Sequence, residues 1–284
     1  MGEIRIVTDN SCDLPEEVAK QHGITVVPLI VRFGEETFLD VELPKPEFWR
    51  RAETAFPSTS GASLGYFMSA FQRLVSEGHH VLCLTLTSKH SSVYGSAWTA
   101  AREFPGQVTV CDSESISYGL AWQVLAAADA AAKGLPLEQI LKIVADVRSR
   151  VKIALVLDTL SFVRRGGRAD GFISLVDRAA RALNIKPIIT FTNGEMKLGA
   201  LNRTWERGVK RILSDFAEKA PFEAFAVGHT FRLDRAHQFA QEIARETGLA
   251  LDRIDIFETG AAIASHSGPG LLAGVGLMKA PESS

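Results

Sequence analysis

The sequence predicts an α/β protein of two domains, an N-terminal one on a doubly wound parallel sheet and a C-terminal one on a mixed sheet. Three observations carry this. Continuous apolar runs such as Val81-Leu82-Cys83-Leu84 alternate with helical patterns through the first half, as in parallel strands covered on both faces. In the second half Asn193-Gly194 separates two strand-like runs, a hairpin signal. The length, 284 residues, suits two modest domains. The change of pattern falls near residues 155–170, giving domains 1–158 and 159–284.

Taken in order, Ile4 to Val7 reads as a strand ending in the polar Thr8-Asp9-Asn10-Ser11. A helix opens at Pro15-Glu16, with Asp13 as its expected cap. Ile24 to Val31 reads as one apolar strand, and Ser63 caps a helix to about Ser76. Strands are expected at Val81–Leu84, Val108–Cys111 and Ile153–Leu157. Helices are expected from Ser91, Ser117 and Leu137 to about Arg102, Lys133 and Arg148. Beyond the hairpin, Trp205, Val209, Ile212, Leu213 and Phe216 recur at spacings of three and four, one face of a helix. Phe222–Val227 and Leu251–Phe257 read as strands around a helix at Leu233–Glu246. The Gly-rich stretch Ser265 to Gly270 reads as a loop.

Composition removes several function classes. Hydrophobic residues are 46% and charged residues 23%, ordinary globular values that exclude disorder, collagen and coiled coil. The net charge is −2, which excludes a general nucleic-acid binder. It conceals an asymmetry, because residues 148–211 hold 14 basic and 5 acidic side chains. Cys12, Cys83 and Cys111 have no CxxC spacing, so a disulfide framework or zinc site is not expected and a reducing cytosol fits. The N-terminal residues do not read as a signal peptide. No apolar run reaches the length of a membrane span. The expected location is cytoplasmic.

The polar clusters at strand ends, Thr8 to Ser11, Thr85 to Ser92 and Asp112 to Ser115, lie where open α/β sheets bind ligands. They also suit turns and helix caps, and Asp9 with Asp112 is a candidate metal pair. Gly61-Ala62-Ser63-Leu64-Gly65 matches the GxSxG string, which acts at a strained strand-to-helix turn. Pro57 precedes it and no buried strand is expected there, so Ser63 reads as a cap. There is no GxxxxGK[ST] phosphate loop and no GxGxxG. His266 in its Gly/Pro loop is either solvated or a donor to an anion. Arg164-Arg165-Gly166-Gly167-Arg168 is either a solvated basic turn or a carboxylate or phosphate cradle.

Six segments in order resemble the DegV family of bacterial fatty-acid-binding proteins. They are Ile6 to Pro15, Pro57 to Ser60, Ser88 to Ala97, Leu157 to Leu160 with Arg165-Gly166-Gly167-Arg168, Leu183 to Pro187, and His266-Ser267-Gly268-Pro269-Gly270. The resemblance implies a long-chain fatty acid in an apolar tunnel between the domains and no other cofactor. It implies a carrier, not an autonomous enzyme. It further implies a separate kinase that phosphorylates the bound carboxylate with ATP, the acyl phosphate then feeding phospholipid synthesis. Nucleic acid is not an implied partner; transient membrane contact is compatible with the role.

The resemblance assigns the carboxylate to Ser91, Thr59 and His266, with Ser60, Ser92, Arg168 and Gly268 at or near the site. Arg203 is implied in presenting the acyl group to the kinase. Two departures stand out. Serine occupies position 92 where the family usually has glycine, and Gly61-Ala62 stands where it usually has Gln-Pro. The alternative reading is a serine-type acyl hydrolase using Ser91 and His266, for which no orienting carboxylate recommends itself. A third is a nucleotide-binding regulatory module.

Overall fold

A computed structural model describes residues 2–61, 63–159, 161–166 and 185–281. The chain forms two compact units, Met1–Ser149 with Gly260–Ala262, and Arg150–Thr259 with Ile263–Ser284.

The first unit contains β1 (Ile4–Asp9), α1 (Glu16–Gln21), β2 (Thr25–Val27), β3 (Ile30–Phe33), β4 (Glu36–Leu39), α2 (Lys45–Ala52), β5 (Pro57–Ser60) and α3 (Leu64–Ser76). It continues with β6 (His80–Thr85), α4 (Val93–Ala101), β7 (Val108–Asp112), α5 (Tyr118–Ala132) and α6 (Leu137–Arg150). Strands β2-β1-β6-β7 form a wholly parallel sheet. The centre of β6 is continuously apolar because both faces are covered: Val81, Leu82, Cys83 and Leu84 are all buried. Helix α5 packs on β1 and β6 and is buried almost all round, through Leu120, Ala121, Val124 and Ala127, which its alanine-rich composition permits.

The expected single strand Ile24–Val31 is two strands in two sheets. Pro28, which has no N–H to give a ladder, stands between β2 and β3. Strand β3 turns into a small antiparallel sheet of order β4-β3-β5. There Val31 faces Thr59 and Ile30 faces Ser60. Pro57 opens the outer strand β5, a position where a proline is tolerated. Asp13 does not cap α1. Pro15 holds that position without a side-chain bond, and Asp13 has a left-handed backbone with φ 55°.

The second unit contains β8 (Val151–Val156), α7 (Ser161–Arg165), β9 (Lys186–Thr192), β10 (Glu195–Asn202), α8 (Trp205–Ala217) and β11 (Phe222–His229). After these come α9 (Leu233–Thr247), β12 (Ile254–Glu258), α10 (Ala261–Ser267) and β13 (Leu272–Met278). The sheet runs β10-β9-β8-β13-β11-β12. Only β11 and β12 are parallel, so it is mixed, as expected. Asn193 and Gly194 both have positive φ, 50° and 77°, the backbone of a two-residue hairpin turn between β9 and β10. Thr204 caps α8, its hydroxyl accepting the Arg207 N–H at 3.3 Å. The face anticipated by spacing is buried through Val209, Ile212 and Phe216.

Two features differ from the sequence reading, and a third was not anticipated in it. Strand β8, placed within 1–158, pairs with β9 and β13 in the second sheet. His266 lies in the last turn of α10 and not in a loop. Beyond the glycine-rich stretch, β13 is a central strand. Its glycines are needed for close approach: a Cβ at Gly274 would lie 2.5 Å from the Phe216 ring, and one at Gly276 2.5 Å from Phe222. The rings of Phe216, Phe222 and Phe225 meet edge to face, a favourable aromatic geometry.

Candidate functional site

In the first unit, chemistry collects at the carboxyl ends of the parallel strands. Asp9 ends β1 and is fully buried. It accepts the Ser11 N–H at 3.0 Å, the Ser11 hydroxyl at 2.5 Å and the Leu86 N–H at 2.8 Å. Asp112 ends β7 and accepts N–H groups from Ser88 at 3.1 Å and Glu114 at 2.9 Å. These carboxylates organise the loop after β6, which delivers Ser91. Both spend oxygens on backbone N–H groups, which is turn chemistry and not metal ligation. Among the described residues no group of three or more His, Cys, Asp or Glu is arranged to hold a metal ion.

Ser91 is half-buried just before α4, and its hydroxyl accepts the Val93 N–H at 3.3 Å. It therefore caps the helix from one residue outside. Ser92 occupies the N-cap position, is exposed, and makes no capping bond. The opening N–H groups of a helix have no partners within it and favour an anion.

Thr59 and Ser60 arrive on β5, both half-buried. Gly61 lies against the start of α4, because a Cβ there would be 2.7 Å from Ser92 Oγ and 3.5 Å from Val93 N. The structure thus brings Thr59-Ser60-Gly61 and Ser91-Ser92-Val93 together. The Ser60 hydroxyl is buried and has no hydrogen-bond partner among the described residues. Such a group costs about 1–3 kcal/mol when left unsatisfied. Ser63 stands at the N-cap of α3 as expected, without a side-chain capping bond.

Three carboxyls of the first unit, Asp9 and Asp40 buried and Asp13 half-buried, form no group visible in the sequence. Asp13 accepts the Ser117 hydroxyl at 2.6 Å and the Gly260 N–H at 2.8 Å. Burial pushes it up to about 7, against the pull of those bonds and of Lys45. Asp40 accepts from Asn10 Nδ2 and the Leu29 N–H, each at 2.8 Å. Burial raises it to about 6, and Asp9 adds to the rise. Asp9 is also raised by burial. Asp13 and Ser117 both hold positive φ, 55° and 54°, so an unfavourable backbone is retained at both ends of their bond.

In the second unit, the His266–Gly270 segment is seated against Asp158, Phe162 and Gly166 by three glycines. A Cβ at Gly166 would lie 2.5 Å from His266 Nδ1; one at Gly268 would lie 2.6 Å from the Phe162 ring; one at Gly270 would lie 2.6 Å from Asp158 Cβ. Gly268 and Gly270 also have φ of 72° and 84°, which glycine alone adopts without penalty. Buried Thr230 locks the segment: its hydroxyl donates to Gly268 O at 2.8 Å and accepts the Leu271 N–H at 2.9 Å. Asp158 pairs with Lys186 at 2.7 Å and Arg232 at 3.4 Å. Burial works to raise its carboxyl, but these two cations outweigh that and hold it below the ordinary range.

Arg203 is exposed immediately before the Thr204 cap. Arg168 lies outside the described residues, as does Gly167. Thr230 had no signal in sequence beyond following an apolar strand. Gly61 and Gly166 are glycines whose need becomes visible only when the neighbouring side chain is in place.

Comparisons with known proteins place the fold. The model of the family described as uncharacterised proteins of the DegV family matches residues 3–279. A DegV domain-containing protein of Caldanaerobacter subterraneus is 32% identical over 280 residues, covering 95% of this chain and 96% of that protein. A DegV family protein from Thermus thermophilus, its structure described as fatty acid binding, superposes with a TM-score of 0.86 at 31% identity, covering 98% of this chain and all of the other. A protein from Eubacterium ventriosum, described as binding stearic acid, gives 0.86 at 26% identity with 98% of both chains covered. With a family model spanning nearly all of its length, and the parallel and mixed sheets of these structures, the chain belongs to the DegV family.

Proposed function

We infer that this protein binds a long-chain fatty acid and presents its carboxylate to a separate kinase, which forms an acyl phosphate from ATP for phospholipid synthesis. The observation that carries the binding step is the Ser60 hydroxyl, buried without a partner among the described residues beside the Ser91-capped start of α4. A carboxylate leaving water needs donors to stay ionised. The hydroxyls of Ser91, Thr59 and Ser60 are donors in this reading, with the α4 terminus adding a favourable field; the family resemblance adds the imidazole of His266. Fatty acid binding by the Thermus and Eubacterium proteins supports the ligand class.

The acyl tail dominates affinity. Each buried methylene contributes about 0.8 kcal/mol, so ~14 of them set an upper bound near ~11 kcal/mol. Ordering the chain and desolvating the head group reduce this, and the polar groups set orientation. In the kinase step a carboxylate oxygen attacks the γ-phosphorus of ATP and ADP leaves. The family resemblance supports that step. The exposed Arg203 and the basic excess of residues 148–211 suit an acidic partner in this reading.

Native mass spectrometry of the purified protein, followed by denaturing extraction, tests the binding step. A bound acid of about 14–18 carbons, a length set by the tail burial tight binding needs, is expected. Protein that is empty and also rejects added fatty acid overturns the reading.

A further inference from the structure

Gly61 is a glycine for an unusual reason. Its φ is not among the positive values of the chain, so its backbone conformation does not require glycine. The close approach of Ser92 does. A Cβ at position 61 would lie 2.7 Å from Ser92 Oγ, while the other near atoms, Val93 Cγ2 and N, are at 3.5 Å, an ordinary contact. The hydroxyl therefore occupies the space that any side chain at 61 would fill. A serine hydroxyl can rotate, so a larger residue at 61 would displace that hydroxyl and leave the fold in place.

The Ser92 hydroxyl is not spent on capping. The Val93 N–H goes to Ser91 Oγ, and Ser92 makes no side-chain capping bond. Ser92 is exposed. One residue before Gly61 is the buried, unpartnered Ser60 hydroxyl. Hydroxyls of Ser60, Ser91 and Ser92 therefore gather around the start of α4.

We propose that Ser92 is a specificity-determining residue of the carboxylate site and that Gly61 is a positioning residue acting through it. The extra hydroxyl donates to a charged carboxylate oxygen and so favours an acid over a neutral head group of the same chain length. This rests on the fatty-acid reading above.

The test is a double-mutant cycle on the full chain with hexadecanoic acid and hexadecanol as probes, reading dissociation constants and Tm. S92A removes the hydroxyl; G61A displaces it. Each single variant is expected to bind the acid about fivefold more weakly, with alcohol binding and Tm little changed. The double variant G61A/S92A is expected to match either single within about twofold, since a hydroxyl already absent cannot be displaced. Multiplying effects in the double variant, equal losses for acid and alcohol, or no loss in S92A would overturn the proposal while leaving fatty acid binding intact. A wild-type protein that binds neither probe would instead overturn the fatty-acid reading, and this proposal with it.

Discussion

Ser91 combines two roles that a substitution separates. Its hydroxyl accepts the Val93 N–H, and in the proposed function it also donates to the ligand. Ser91→Ala removes both, so the helix start loses about 1 kcal/mol and fatty acid retention falls roughly tenfold. Ser91→Thr keeps a hydroxyl and restores most of each. Extraction of bound lipid and thermal melts measure the two effects, and retention equal to wild type in Ser91→Ala would remove Ser91 from the site. Gly268 is constrained twice, by φ of 72° and by the Phe162 ring 2.6 Å from an added Cβ. Gly268→Ala is expected to destabilise by about 2–3 kcal/mol, read as a drop in Tm; an unchanged Tm would contradict the packing. The residue types at these positions were legible in sequence, since Ser91, Thr59 and His266 sit in recognisable segments. The reason for Gly61 and Gly166 was not, because each answers to a side chain distant in sequence.

At the scale of elements, local signals sufficed where the controlling interactions are local. The Asn193-Gly194 turn and the apolar face of α8 depend on residues within a few positions of one another. Strand β13 depends on its neighbours. Gly274 and Gly276 weaken it locally, yet they receive the rings of Phe216 and Phe222, and the strand is central between β8 and β11. Gly274→Ala is therefore expected to destabilise by about 1–3 kcal/mol through overpacking, although alanine has the better intrinsic propensity. Denaturant unfolding decides this, and a stabilised variant would show that propensity wins. The division of Ile24–Val31 into β2 and β3 has a similar cause. Both halves are apolar, and only their partners, β1 for one and β4 with β5 for the other, distinguish them.

At the scale of the whole molecule, carboxyls withdrawn from water make stability depend on pH. Asp13 is raised to about 7 and Asp40 to about 6, whereas an unfolded aspartate titrates near ~3.9. Between about pH 4 and pH 7 the folded protein holds protons that the unfolded chain has released, so stability falls as pH rises through that window. Asp13 alone contributes on the order of 4 kcal/mol to that fall. Asp158 works in the opposite sense: held low by Lys186 and Arg232, its contribution is present above about pH 4 and is lost in stronger acid. Maximum stability is expected near pH 4–5, and Asp13→Asn should flatten the decline towards neutrality. Unfolding free energies across pH 4–8 test this, and an unchanged slope in Asp13→Asn would remove Asp13 as its source. By itself the sequence determined the α/β class, the parallel and mixed sheets, the main helix faces and the family, because periodicity, turn chemistry and ordered motifs are written in neighbouring residues. Only the tertiary structure decided that β8 joins the second sheet, that Asp13 bonds Ser117 and Gly260 across more than a hundred residues, and that Ser92 fills the space above Gly61. Strand pairing, burial of charge and steric exclusion act through space between segments whose separation along the chain carries no record of their meeting.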